Sequence, residues 1–100
     1  MSDNELAISV VSKVTGVPKS TILSPSRRWP AVEARMLIVL LLSHDGATDE
    51  ATSWVLHRKR GAILKSRHNA LNTMDISKVF RDKFNRVKLM YNEQKSLRVS

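Results

Sequence analysis

Met36–Leu42 (MLIVLLL) is seven apolar residues in a row. With Pro30 ahead of it, the run reads as the body of a helix over about 30–43 whose every face is apolar. A helix of that kind is stable only with neighbours on most sides, so it demands a shell of other elements. Lipid does not meet that demand, because a bilayer span takes about 20 apolar residues. The shell has to come from the same 100-residue chain. That length is one domain, burying roughly two-thirds of its unfolded surface. The expected domain covers residues 1–95, with a frayed tail over 96–100.

The remaining segments supply the shell as helices. Ser2-Asp3-Asn4-Glu5 has the S-x-x-E form of a capping box, and Leu6, Ile8, Val10, Val11 and Val14 follow it at helical spacing. This predicts a helix over about 3–15, ended by Gly16. Pro18 opens a very short helix, about 18–23, with Ile22 and Leu23 inward. Pro25 and Pro30 forbid helix between them, leaving Ser24–Pro30 as a loop with a basic and aromatic tip of Arg27, Arg28 and Trp29. Trp29 either folds back on the core, the favoured reading, or meets nucleic acid together with the arginines.

Thr48, followed by Asp49 and Glu50, caps a helix over about 48–56 with Ala51, Trp54, Val55 and Leu56 as its apolar side. A turn at His57-Arg58 leads to a helix over about 59–72, backed by Ile63, Leu64 and Leu71. Asn72–Asp75 breaks the pattern, and Asp75 is placed to cap a last helix over about 75–95. Its apolar face is Ile76, Val79, Phe80, Phe84, Val87, Met90 and Tyr91; Lys78, Arg81, Arg86 and Lys88 form a solvated outer face. The fold class is therefore all-α, a compact six-helix domain. Its short helix, tight turn and second, basic helix have the outline of a helix-turn-helix.

That second helix holds the densest charge. His57–His68 (HRKRGAILKSRH) carries five cationic side chains and no acid. The whole chain is +8, and the charge is segregated: −3 over residues 44–56, then +5 over 57–74. Such a balance favours an anionic partner, nucleic acid first. There is no cysteine, hence no disulfide and no Cys-containing zinc site. His44, His57 and His68 lack the i, i+4 spacing that puts two metal ligands on one helix face. No acid pair sits in an apolar context. No enzyme activity, cofactor, metal or small-molecule substrate is expected. The N-terminus lacks the basic and apolar regions of a secretory signal, so the expected compartment is cytoplasmic, with no membrane partner.

Gly16-Val17, Ile22-Leu23-Ser24, Ser26-Arg27-Arg28 and Val32-Glu33-Ala34-Arg35 carry a resemblance to the C-terminal DNA-binding domain of the bacterial replication initiator DnaA. That family has a GV…LLS-x-SR…VEAR pattern in the same order and spacing, and the same order of helices. Asp75-Ile76 with Phe80 resembles the opening of its last helix. The resemblance covers roughly residues 5–92. It implies a DnaA C-terminal or Trp-repressor-like fold and a monomer that binds double-stranded DNA, with a role in replication initiation, its regulation or transcription. The family reads DNA with R-D-H-[S/T]-T-V-L-H. Here Arg58-Lys59-Arg60-Gly61-Ala62-Ile63-Leu64-Lys65 stands in its place. The leading Arg and the apolar pair match; the Asp, the His and both hydroxyl residues are replaced. Where the family's basic loop puts an arginine in the minor groove, strict spacing gives Trp29, with Arg28 adjacent. The family's full-length members bind ATP in a separate domain, but no phosphate-binding G-x-x-x-x-G-K-[S/T] occurs here. The chain is expected to be a stand-alone domain or a piece of a longer protein, without ATP hydrolysis.

The expected DNA-binding residues are Lys19, Arg27, Arg28, Arg58, Lys59, Arg60, Gly61, Ala62 and Lys65. Lys59 and Arg60 are placed to reach base edges and Arg58 a phosphate or base. The Gly61 and Ala62 amides are placed for a phosphate at the helix start, and Lys19, Arg27 and Arg28 for the flanking backbone. The alternative is a protein-interaction module that kept the fold and lost specific DNA recognition.

Overall fold

The structure is a computed structural model and describes Ser2–Val99, the Val99 side chain excepted. Among the described residues there are six helices and no strand: α1 (Asp3–Thr15), α2 (Lys19–Leu23), α3 (Trp29–His44), α4 (Asp49–Leu56), α5 (Arg60–Ile76) and α6 (Lys78–Val99). No helix among them is long and apolar enough to cross a membrane.

The apolar helix is the centre of the molecule. From Ala34 to Leu42 every residue of α3 is buried, and α3 packs against all five other helices. Around it lie Leu6, Val10 and Val11 of α1, Ile22 of α2, Leu56 of α4, Ile63 and Ala70 of α5, and Phe80, Phe84, Val87 and Tyr91 of α6. The Cα radius of gyration of 12.5 Å is close to the roughly 13 Å of a compact 100-residue domain.

Two helix starts form as their residues dictate. Ser2 Oγ accepts from the Glu5 N–H at 3.2 Å, and Thr48 Oγ1 from the Ala51 N–H at 3.1 Å. Gly16 ends α1 at φ 76°, where a side chain is strained.

Several expectations are corrected. α5 does not break at 72–75 but continues to Ile76. Thr73 donates its hydroxyl back to the Asn69 carbonyl at 2.7 Å without ending the helix, and Met74 packs on the core. The cap of α6 is Ser77, whose Oγ accepts from the Phe80 N–H at 3.1 Å, not Asp75. This corner turns Ile76 and Val79 outward, at 84% and 65% exposure, off the apolar face expected for them. At its far end α6 runs to Val99, and Arg98 pairs with Asp3 of α1, so residues 96–99 extend the helix beyond the end expected near 95. Ser100 lies outside the described residues.

Charged groups also join the shell. Glu33 is buried and accepts from Lys83 Nζ at 2.7 Å, tying α3 to α6. Asp45 accepts from the Tyr91 hydroxyl at 2.8 Å and from Lys95 Nζ at 3.0 Å. Burial works to raise the Asp45 pKa, but the hydrogen bonds from Tyr91 and Lys95 and the Lys95 charge overcome it and leave it below its ordinary value. The Tyr91 hydroxyl is pushed well up, first by burial and then by the Asp45 carboxylate.

Candidate nucleic-acid interface

α4 and α5 are joined by three residues, His57–Lys59. His57 takes the left-handed conformation at φ 54°, ψ 45°, which reverses the chain without a glycine. The Arg58 N–H returns to the Ser53 carbonyl at 3.0 Å and closes the end of α4. Lys59 then stands at the head of α5 with no side-chain cap, and no acid occupies the first turn. The free N–H groups at the start of α5 thus face solvent beside Lys59 and Arg60. Gly61 and Ala62 are exposed, and a Cβ added at Gly61 would meet nothing within 4 Å. Lys65 is exposed one turn further on.

The loop between α2 and α3 is built around two buried or half-buried arginines. Arg35, on α3, is 9% exposed and has no acidic partner among the described residues. Its Nε donates to the Ile22 carbonyl at 2.7 Å and its Nη1 to Ser26 at 2.6 Å. Its Nη2 is shared between Ser24 at 2.6 Å and Thr21 at 3.3 Å. Four carbonyls of α2 and the loop therefore converge on one guanidinium. Burial, and secondarily the neighbouring Arg58, push the Arg35 pKa below its ordinary value.

Arg58 reaches the same place from the turn. Its Nη2 donates to the Ser24 carbonyl that Arg35 also holds, and its Nη1 to Leu56 at 3.2 Å. Two serines order the rest: Ser24 Oγ accepts from the Ser26 N–H at 3.2 Å, and Ser26 Oγ from the Arg28 N–H at 3.3 Å. Arg27, Arg28 and Trp29 stand at the surface of this ordered loop. Trp29, 56% exposed at the first position of α3, is not folded onto the core.

The α4–α5 unit is braced from behind. Arg67 donates to Asp49 through Nε and Nη2, both at 3.0 Å, a two-pronged ion pair across the two helices. It holds the Asp49 carboxyl below its ordinary value, through the hydrogen bond first and the charge second, and Arg67 is raised in turn. Arg67 is thus committed to the frame. The buried seam of α5 is Ile63 and Ala70, with Met74 packed beside it; Leu64 and Leu71, expected on the apolar back, are 40% and 46% exposed. On α4 the expected apolar side holds at Val55 and Leu56 but not at Ala51 and Trp54. Thr52 and Leu56 are buried and Trp54 is 77% exposed.

The expected site residues are brought together unevenly. Arg58 physically joins the loop to the α4–α5 turn. Lys59, Arg60, Gly61 and Ala62 are contiguous and exposed. Lys19 is exposed at the start of α2 and shares a surface depression with Trp54 and His57. Among the described residues none of Lys19, Arg27, Arg28, Arg58, Lys59, Arg60 and Lys65 forms an ion pair, whereas Arg67, Lys78, Lys83, Lys95 and Arg98 do. Lys13, Arg81, Arg86 and Lys88 are also without ion pairs among the described residues; Lys13 of α1 borders a depression with Lys19, and the other three are on α6. The histidines are dispersed: His44 rests on the Phe84 ring, His57 forms the turn and His68 is exposed on α5.

Arg35 is the residue that reading the sequence missed. It appeared only as the end of Val32-Glu33-Ala34-Arg35, and a basic residue inside an apolar helix with no acid at the i±3 or i±4 positions to pair with it was the available signal. No protein-family model matches this chain, and no curated protein matches it at a significant level.

Proposed function

We propose that this chain binds double-stranded DNA through a helix-turn-helix formed by α4 and α5, in the manner of the DnaA C-terminal domain. The start of α5 lies in the major groove, and the 24–28 loop follows the adjacent backbone or the minor groove. What supports this reading is the set of unneutralised cations on the loop, the turn and the head of α5, with the first two segments fastened by Arg35 and Arg58. Cations without acidic partners are free to release counterions from phosphates. Lys59 and Arg60 donate hydrogen bonds, so guanine O6 and N7 are the base edges they suit. Arg58 acts mainly as a fastening, since its guanidinium already serves three carbonyls. The cellular role proposed is in replication initiation, its regulation or transcription.

The test is binding to a fluorescent duplex across a salt series, together with selection of bound sequences from a random pool. Neutralising about six phosphates gives a log–log salt slope near −5. Lys59→Ala with Arg60→Ala is expected to abolish any enriched motif, and Arg27→Ala with Arg28→Ala to flatten the slope by about two. Salt-independent affinity, or no binding at low salt, overturns the reading.

A second reading, a protein-interaction module, draws on Ile76 and Val79, both largely exposed at the α5–α6 corner. Sixteen residues of helix separate Ile76 from Arg60, about 24 Å. Loss of a protein partner on Ile76→Ser with unchanged DNA affinity would favour it.

A further inference from the structure

Trp54 is 77% exposed, on the second turn of an eight-residue helix whose inward positions are taken by Thr52 and Leu56. An exposed indole presents a flat face on which an aromatic ligand can stack. Its surroundings say what chemistry suits that ligand. One side of Trp54 lines a shallow depression of about 430 Å³ with Ser53, His57, Arg58, Lys59 and Arg60. No acid is among those lining residues, and neither Lys59 nor Arg60 has an ion-pair partner among the described residues. The ligand that fits is flat, aromatic and anionic: a nucleotide whose base lies on the indole and whose phosphate meets the cations.

A base inside a duplex is stacked on both faces and offers none to a protein ring; an unpaired base offers one. We propose that the Trp54 depression is a stacking site for one unpaired nucleotide, so that the protein prefers a duplex bearing a single-stranded extension or opening over a fully paired one. The inference rests on the reading of the basic face as a DNA site and adds to it a preference for DNA structure. Charge complementarity selects a nucleotide over an apolar protein segment, since four of the five other lining residues are Arg, Lys or His.

The experiment uses the full chain in a Trp29→Phe background, where Trp54 is the remaining tryptophan. Affinity is measured for a blunt duplex and for the same duplex carrying a short oligo-dT overhang. The overhang is expected to bind about tenfold tighter, near the lower end of what stacking on an aromatic supplies, and to quench Trp54 emission. Trp54→Ala should remove the preference and leave blunt-duplex affinity unchanged; Trp54→Phe, which keeps a ring, should restore most of it. Equal affinity for the two DNAs overturns the proposal. So does a Trp54→Ala loss shared equally by both, which would make Trp54 part of the duplex site. A Trp54→Ala effect confined to self-association would make it a protein contact and overturn it too. If the blunt duplex binds and the overhang adds nothing, the stacking site alone falls; if neither DNA binds at low salt, the functional reading falls with it.

Discussion

Arg35 holds four backbone carbonyls, one more than Arg58. A planar guanidinium with donors at fixed angles serves four carbonyls at once; a lysine ammonium of the same charge has neither the reach nor the fork. Arg35→Lys is therefore expected to cost about 2 kcal/mol in urea unfolding, from buried carbonyls left without donors, and to speed amide exchange over residues 22–28. DNA affinity should fall with it although the charge is kept. Residues of this kind are poorly legible in a sequence, because a carbonyl acceptor has no side-chain signature. The two tryptophans were misread for a related reason. Thr52 and Trp54 are two positions apart, about 200° around the helix, so only one of them can face inward, and the smaller one is the buried one. Hydrophobicity favoured the other.

At the level of elements, the starts of α1 and α4 and the end of α1 were legible because they rest on local chemistry: a serine, a threonine and a glycine meeting their own chain. The α5–α6 boundary was not. Asn72, Thr73 and Asp75 are weak helix formers, but tertiary packing of Ala70 and Met74 carries the helix past them, and no local rule registers that. The mutual setting of α4 and α5 hangs on a pair that is far apart in sequence, Asp49 and Arg67. The folded Asp49 carboxyl has a lowered pKa, so its contribution to stability is complete above the unfolded carboxylate value of about 3.9 and is lost as pH falls through the folded value. Thermal melting followed from neutral pH down to about pH 2 should show the lead of the parent protein over Asp49→Asn shrinking to nothing in acid. A lead that persists in acid would rule the ion pair out as its source.

The whole molecule divides its charges by use. Four of the nine acids join helices: Asp3 to the end of α6, Glu33 to Lys83, Asp45 to Tyr91 and Lys95, Asp49 to Arg67. The loop, the turn and the head of α5 in the proposed binding face carry cations and no acid, and their mutual repulsion is a standing cost in the free protein. Stability and DNA affinity should consequently respond to salt with opposite signs. From about 10 mM to about 150 mM salt the melting temperature is expected to rise by a few degrees, equivalent to about 0.5 kcal/mol, as the repulsion is screened. Binding weakens over the same range. Differential scanning of the free protein checks the first half; a melting temperature that falls with salt would mean the surface ion pairs outweigh the unpaired cations. The all-α class and the central helix followed from the seven-residue apolar run, whereas the pairing of acids with distant cations emerged only from the packed structure.

The Ser24 carbonyl, held by Arg35 from one helix and Arg58 from another turn, bears on transplantation. Residues 24–28 have the look of a cassette, a short basic tip between two prolines. Moved alone to another scaffold they would bring charge but no shape, because the guanidinia that shape them are supplied by parts of the chain that come later. A faithful graft has to take α3 and the α4–α5 turn as well, which is most of the domain. On the proposed DNA-binding reading, preference is easiest to alter at Lys59–Ala62, which is exposed and forms no ion pair among the described residues.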